Sequence, residues 1–381
     1  MFEALDTNGQ VDVVYTDFSK AFDRVSHKIL LQKLAAYGFG DLLVQWLGSY
    51  LLNRSFFTVV NGFQTQLKPI TSGVPQGSHL GPILFNVFVN DLPGSLLYSR
   101  PFMYADDLKF CRVIKSPGDT LLLQADLDRI VEWCCLNEMA LNSSKCCVVQ
   151  FCRGGAVIPF QYHVNNIVLQ VKCEISDLGV IFDKKLTFIS HMENIVSRAS
   201  RMLGFVLRTV KGFRNYKTKI LLYNGLVRSM LEYCSVVWRP HYATQSLRLE
   251  RIQKRFLWHL MYSCGIPKKK LPSYNKRLIH FNMMSLCNRR QVLDLGFASK
   301  IFSHKLDCPT LLNKFKFRVP VRYPRKAVTP LSVPLRKTVF GSNSPIARMS
   351  RLLNECNSIV DIHHDSPTKL CRTVVNSWRD P

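Results

Sequence analysis

Acidic side chains are the scarce class in this chain. Against 51 lysines and arginines stand 26 aspartates and glutamates, leaving a formal net charge of +25 over 381 residues. So large an imbalance favours polyanionic partners, nucleic acid first. An anionic membrane surface fits less well, because no basic amphipathic stretch stands out. No apolar run reaches the ~20 residues of a spanning helix, so no membrane partner is expected. The N-terminus, Met1 to Asp6, has no basic segment followed by an apolar one, and no secretory signal is read there. CxxC pairs are also missing, although there are 13 cysteines. That argues against a zinc ribbon. The adjacent pairs Cys134-Cys135 and Cys146-Cys147 do not read as a disulfide framework. Reduced thiols in an intracellular protein, nuclear or cytoplasmic, fit best.

With 47% hydrophobic residues the chain can bury a core, and its length allows about two to three domains. Val11 to Asp17 reads as a strand ending in an acid, with Val11, Val13, Tyr15 and Asp17 on one face. Ser26 is placed to cap a helix closed near Gly38, and Leu42 to Tyr50 forms another. Phe56 to Asn61 is β-like. The loop Thr71 to Pro82 holds three glycines and two prolines and leads into the apolar helix Ile83 to Val89. Pro101 to Ala105 and Leu108 to Cys111 read as two strands with Asp106-Asp107 at the turn. Asp119 to Leu136 is an amphipathic helix; strands follow at 146–151, 167–169 and 178–182. From His191 the pattern is helical and densely basic, through Ile220 to Cys234 and Leu247 to Met261, with Lys268-Lys269-Lys270 beyond. Residues 308–344 carry recurrent prolines and cations without an amphipathic period and read as a basic linker before a short helix, 346–357.

Three acids deserve separate treatment. Asp17, Asp106 and Asp107 all fall at strand ends. If strand 11–17 lies beside the 102–110 hairpin, the carboxylates converge. An Asp-Asp turn alone is most simply a solvated turn. Clustered carboxylates in so basic a chain suit hard cations instead, and oxygen donors of this kind suit Mg²⁺. Two ions ~3.5–4 Å apart can clamp the attacking and leaving oxygens of a phosphoryl transfer. Asp23 competes with Asp17 but lies just before a helix, where an acid favours the N-terminus, and it is expected to be structural or to support the ligands rather than to be one. Asp91 is expected to end a helix, and Asp12 to be solvated. Cys356, His363, His364 and Cys371 are not spaced as a zinc knuckle.

The boxes together carry a resemblance. Tyr104-Ala105-Asp106-Asp107 resembles the Y/F-x-D-D box of reverse transcriptases. Asp17 to Asp23 resembles their first acidic motif, and Ser72 to Ser78 with Leu80-Gly81-Pro82 resembles the loop and helix between the two, in the family's order. Leu178-Gly179-Val180 with Phe188 and His191 is similar to the primer grip of non-LTR (LINE-type, jockey-like) retrotransposon enzymes. Leu221 to Tyr233 with Trp238 is similar to their thumb, and Asn343-Ser344-Pro345 with Arg348 to their C-terminal tail.

The resemblance implies an α+β chain. A polymerase palm, an antiparallel sheet with packed helices, would occupy 1–185, with the fingers largely missing. An all-helical thumb would occupy 186–300, and a basic linker and tail 301–381. It implies RNA-directed DNA synthesis by two-metal nucleotidyl transfer onto a primer 3′-hydroxyl, with RNA template, DNA primer and dNTPs as partners. Asp17, Asp106 and Asp107 match the metal-binding acids, for two Mg²⁺ with Mn²⁺ as a substitute, and Phe18 lends a backbone carbonyl. Phe22 matches the gate against a 2′-hydroxyl, although an ordinary core aromatic would read the same. Gln76, Gly77 and Tyr104 match nucleotide-contacting positions. Lys145 matches a lysine that protonates the leaving pyrophosphate, although a surface lysine in a turn would read the same. One departure is expected to matter: little precedes Asp17 that could grip a triphosphate, and no endonuclease or RNase H pattern is present. The chain is therefore expected to be N-terminally truncated, with that part lost or in another chain. The alternative function is a catalytically inactive remnant that only binds nucleic acid.

Overall fold

The computed structural model describes residues 1–266, 271–318, 329–357, 359 and 366–377. They form two compact units, one over residues 3–175 and one over 176–381. The first is a sheet with packed helices and the second is largely helical. Among the described residues no helix is long and apolar enough to cross a membrane.

The first unit is built around β1 (Gln10–Thr16). Its valines are shaped for a pleated surface, and it lies third in a five-stranded sheet. On one side it pairs antiparallel with β3 (Asp107–Ile114), which pairs in turn with β2 (Arg100–Tyr104). On the other side it pairs antiparallel with β4 (Cys147–Phe151). The outermost strand, β5 (Gln170–Val171), runs parallel to β4, so the sheet is antiparallel except at this edge. Val14, Leu108, Phe110 and Val148 belong to one core with α1 (His27–Ala36), α2 (Asp41–Leu51), α3 (Leu80–Val89) and α4 (Pro117–Leu136). The start of α4 is fixed by a capping box between Ser116 and Asp119, as the Ser-x-x-Asp spacing allows. Ser26 occupies the cap position of α1, but its side chain makes no capping bond.

Asp12 corrects a sequence expectation. It is fully buried, not solvated. Period two puts it on the face of β1 that carries Val14, and three donors hold it there. Gln10 Nε2 lies at 2.8 Å, Tyr162 hydroxyl at 2.8 Å and Gln150 Nε2 at 3.4 Å. Burial pushes its carboxyl above the usual range, against the pull of these bonds. Asp91 sits just past α3, where it pairs with Lys33 at 2.7 Å.

In the second unit, α5 (Ile189–Thr209) and α6 (Ala243–Ser263) pack against each other. The segment read as one helix over 220–234 is α-helical at Tyr216–Leu222, π-helical at Tyr223–Arg228 and α-helical again at Ser229–Glu232. Two C-terminal helices, α8 (Pro345–Glu355) and α9 (Pro367–Ser377), pack on α7 (Leu286–Phe302). The stretch read as a linker includes a helical turn, Pro309–Leu312, and a short pairing of Lys316–Phe317 with Leu331–Ser332. Lys268-Lys269-Lys270, His363 and His364 lie outside the described residues.

Candidate active site

The strand register brings the acids to one end of the sheet. The last pair of β1 with β3 is Thr16 opposite Leu108, so Asp17 follows the end of β1 and Asp107 is the first residue of β3, at the same end of the sheet. Parity puts both on the sheet face opposite that of Val14 and Phe110. Tyr104 pairs with Asp107, which leaves Ala105-Asp106 as a two-residue turn. Ala105 has φ +51, the left-handed sign that such a turn demands of its first residue. A residue with a Cβ held there is strained, a cost of about 1–3 kcal/mol that is met most often at functional sites. Asp106 is half-buried and Asp107 exposed.

Asp17 is fixed through its backbone. Its carbonyl accepts from Asn142 N–H at 2.8 Å, and its N–H points to Cys146 Sγ at 3.4 Å. Phe18 is buried in the core and bridges Leu141. The turn that follows, 142–145, carries Lys145 back to the acid, with Nζ 3.3 Å from Asp17 Oδ2. That oxygen is buried and accepts no hydrogen bond. Among the described residues no three His, Cys, Asp or Glu side chains are gathered closely enough to hold a metal ion. Asp17, Asp106 and Asp107 thus share an edge without closing on one point. Like charges repel, and Asp17 is drawn to Lys145. The donor chemistry still suits a hard cation: three carboxylates on one edge, one of them with a buried oxygen that accepts no hydrogen bond and is ion-paired with Lys145.

A second loop is pinned beside this edge. Gly73 N–H donates to Val25 carbonyl at 2.8 Å, and Val74 N–H to Phe22 carbonyl at 2.9 Å. Gly73 has φ +92, and a Cβ there would fall 2.8 Å from Asp23 backbone atoms. The loop therefore needs glycine. Gln76 Nε2 donates to Asp23 Oδ1 at 2.7 Å. Asp23 thereby holds the loop, a structural role of the kind expected for it, with Gln76 as the partner that the sequence did not name. His27 adds a bond of 2.7 Å from Nε2 to Gly73 carbonyl, which sequence reading missed; its place at the helix start was the available signal. Phe22 stacks on Phe85 with centroids 4.3 Å apart and is half-buried. Gln76 and Gly77 are exposed, as is the Tyr104 ring.

The second unit offers a basic groove of about 260 Å³ between α5 and α6. Arg248, Arg251 and Arg255 line it, with Val196, Leu203 and Ile252. The i, i+3, i+7 spacing puts the three guanidinium groups along one face of α6. Such a row suits a phosphate backbone.

Comparison with known proteins agrees with these features. The family model "Reverse transcriptase (RNA-dependent DNA polymerase)" matches residues 4–207, more than half of the chain. The RNA-directed DNA polymerase from mobile element jockey of Drosophila melanogaster is 33% identical over 201 residues, 51% of this chain and 22% of that protein. Its counterpart from Drosophila funebris is 29% identical over 273 residues, 67% of this chain and 29% of that protein. The probable RNA-directed DNA polymerase from transposon BS of Drosophila melanogaster is 26% identical over 67% of this chain and 29% of that protein. The chain spans less than a third of the length of each of these relatives. Apo telomerase from Candida Tropicalis is similar over 71% of this chain and 45% of that chain, with 13% identity and a TM-score of 0.37, a likeness too loose to bear on the fold. The chain belongs to the reverse transcriptase family and is of the non-LTR, LINE-type retrotransposon kind.

Proposed function

We propose that the chain is an RNA-directed DNA polymerase, extending a DNA primer on an RNA template with dNTPs. The observation that carries this reading is the register that ends at Thr16 opposite Leu108, bringing Asp17 and Asp107 to the same end of the sheet with Asp106 in the adjoining turn. In this reading residues 1–185 are the palm, with the compact unit 3–175 inside those limits. The basic helices of 186–300 are the thumb, and residues 301–381 form a basic linker and tail. Asp17, Asp106, Asp107 and the Phe18 carbonyl would hold two Mg²⁺, with Mn²⁺ as a substitute. When bound, such ions activate a 3′-hydroxyl and stabilise the leaving pyrophosphate. Phe22, stacked on Phe85 and half-buried, would crowd a 2′-hydroxyl. Gln76, Gly77 and Tyr104 are exposed and so available to an incoming nucleotide. Lys145 is a proton source for the leaving group, and the arginines of α6 track the nucleic-acid backbone. The place of action is intracellular.

Primer extension tests the reading, with poly(rA) template, oligo(dT) primer, dTTP and Mg²⁺. Extension by the parent chain is expected, and Asp106→Asn should slow it about 100-fold or more, since metal-borne stabilisation is worth several kcal/mol. Equal extension by parent and variant would refute the assignment of the acids. Binding of primer–template with no extension would favour the alternative, a remnant that only binds nucleic acid.

A further inference from the structure

Asp17 Oδ2 is buried, accepts no hydrogen bond and faces the Lys145 ammonium at 3.3 Å. Both backbones are anchored: Asp17 to Asn142 and Cys146, and Lys145 through its N–H, which donates to the Asn142 carbonyl at 3.0 Å. The side chains differ in length and exposure, 65% for Lys145 against 37% for Asp17. The four-carbon stem of Lys145 therefore keeps other rotamers within reach. A divalent ion on Asp17 would use the oxygen that the ammonium now faces. Mg²⁺ sits about 2.0–2.1 Å from its oxygen ligands, and an ammonium left in place would then lie beside a dication. The two cations exclude each other.

We infer that Lys145 is a stand-in counter-cation for the acidic edge: it neutralises Asp17 in the metal-free protein and is displaced when a divalent cation enters. This rests on the metal reading above and goes beyond it, because it gives Lys145 a positioning role before any nucleotide is bound. The lysine thereby weakens divalent binding at the edge. Once displaced, its ammonium is free to meet an anionic ligand.

The test is a Mn²⁺ titration of the full chain without nucleic acid, at fixed ionic strength, with free Mn²⁺ read by electron paramagnetic resonance. Lys145→Gln should bind Mn²⁺ about two- to five-fold more tightly, the range that an exposed ion pair can supply. Lys145→Arg should match the parent. Lys115→Gln removes the same charge just past the far end of β3, beyond Ile114, and should also match the parent. Asp17→Asn should lose Mn²⁺ binding. Unfolding temperatures of all four variants, unchanged within a few degrees, exclude misfolding as the cause. If Lys145→Gln binds Mn²⁺ no more tightly than the parent while Asp17→Asn loses it, the stand-in role is wrong and the metal reading survives. If Lys115→Gln gains as much as Lys145→Gln, the effect is diffuse charge and the contact is irrelevant. Parent binding that is absent, or that Asp17→Asn leaves intact, overturns the metal reading and this inference with it.

Discussion

Two aspartates, one in each unit, show how the same side chain is put to opposite uses. Asp294 in the helical unit is fully buried and bonded at both oxygens. Arg348 grips both of its oxygens, at 2.8 and 3.2 Å, and Arg239 adds a third bond at 2.7 Å. Arg348 also donates to the carbonyls of Val236 and Asn343, so the cluster ties α8 to α7 and to the segment before α6. Asp17 in the sheet unit stands at a strand end against one exposed lysine, with an oxygen that accepts no hydrogen bond. A carboxylate with both oxygens engaged by arginines holds a fold together. One with coordination to spare at an edge is available to a ligand.

That contrast can be broken from the structural side first. Asp294→Ala leaves two arginines buried without their acid, so it should cost about 3–5 kcal/mol by denaturant unfolding of the second unit. A loss under 1 kcal/mol would mean that water replaces the acid and that the cluster is not structural.

His191 gives the next effect, through pH. It is buried, its Nδ1 accepts from Ile181 N–H at 3.2 Å, and its ring meets Trp238 edge-on. Burial, helped by the charge of Arg198, pushes its pKa down from 6.5 to about 4. The folded state therefore takes up a proton less readily than the unfolded one. Its contribution is fully present above pH ~6.5 and is lost as pH falls toward 4, by about 3 kcal/mol at most. His191→Phe should flatten the stability curve in that window; a parallel curve would show that other groups set it.

Gly73→Ala comes third. Its φ and the 2.8 Å approach to Asp23 predict about 1–3 kcal/mol, with the 72–76 loop loosened from 22–25. Faster hydrogen exchange at the Gly73 and Val74 amides would report it, and unchanged exchange would contradict it. The smallest effect completes the contrast. Asp106→Asn, so damaging to extension, should shift unfolding by no more than about 0.5 kcal/mol. A large destabilisation would place Asp106 with Asp294 as a structural acid.

Much of this was legible in the sequence because it is local. Alternation gave β1, and the two runs around Asp106-Asp107 gave the hairpin. The glycines of the 72–82 loop pointed to a backbone that other residues could not adopt. What escaped depends on partners far along the chain. Asp12 looked solvated because Tyr162, 150 positions on, is invisible to any local pattern. The bond from Arg348 to Asp294 spans 54 positions, and the parallel edge strand at 170–171 is too short to announce its direction. The reading of one helix over 220–234 did not separate the α, π and α segments of 216–232.

The central claim is that Asp17, Asp106 and Asp107 jointly receive a divalent cation. Iron-directed backbone cleavage tests it most directly, with Fe²⁺ in place of Mg²⁺ and ascorbate to generate hydroxyl radicals at the bound ion. The account predicts paired cuts near residues 16–18 and 104–107, suppressed by excess Mg²⁺ and absent from the Asp106→Asn, Asp107→Asn double variant. Cuts confined to one of those segments, or cuts that the double variant retains, would contradict it.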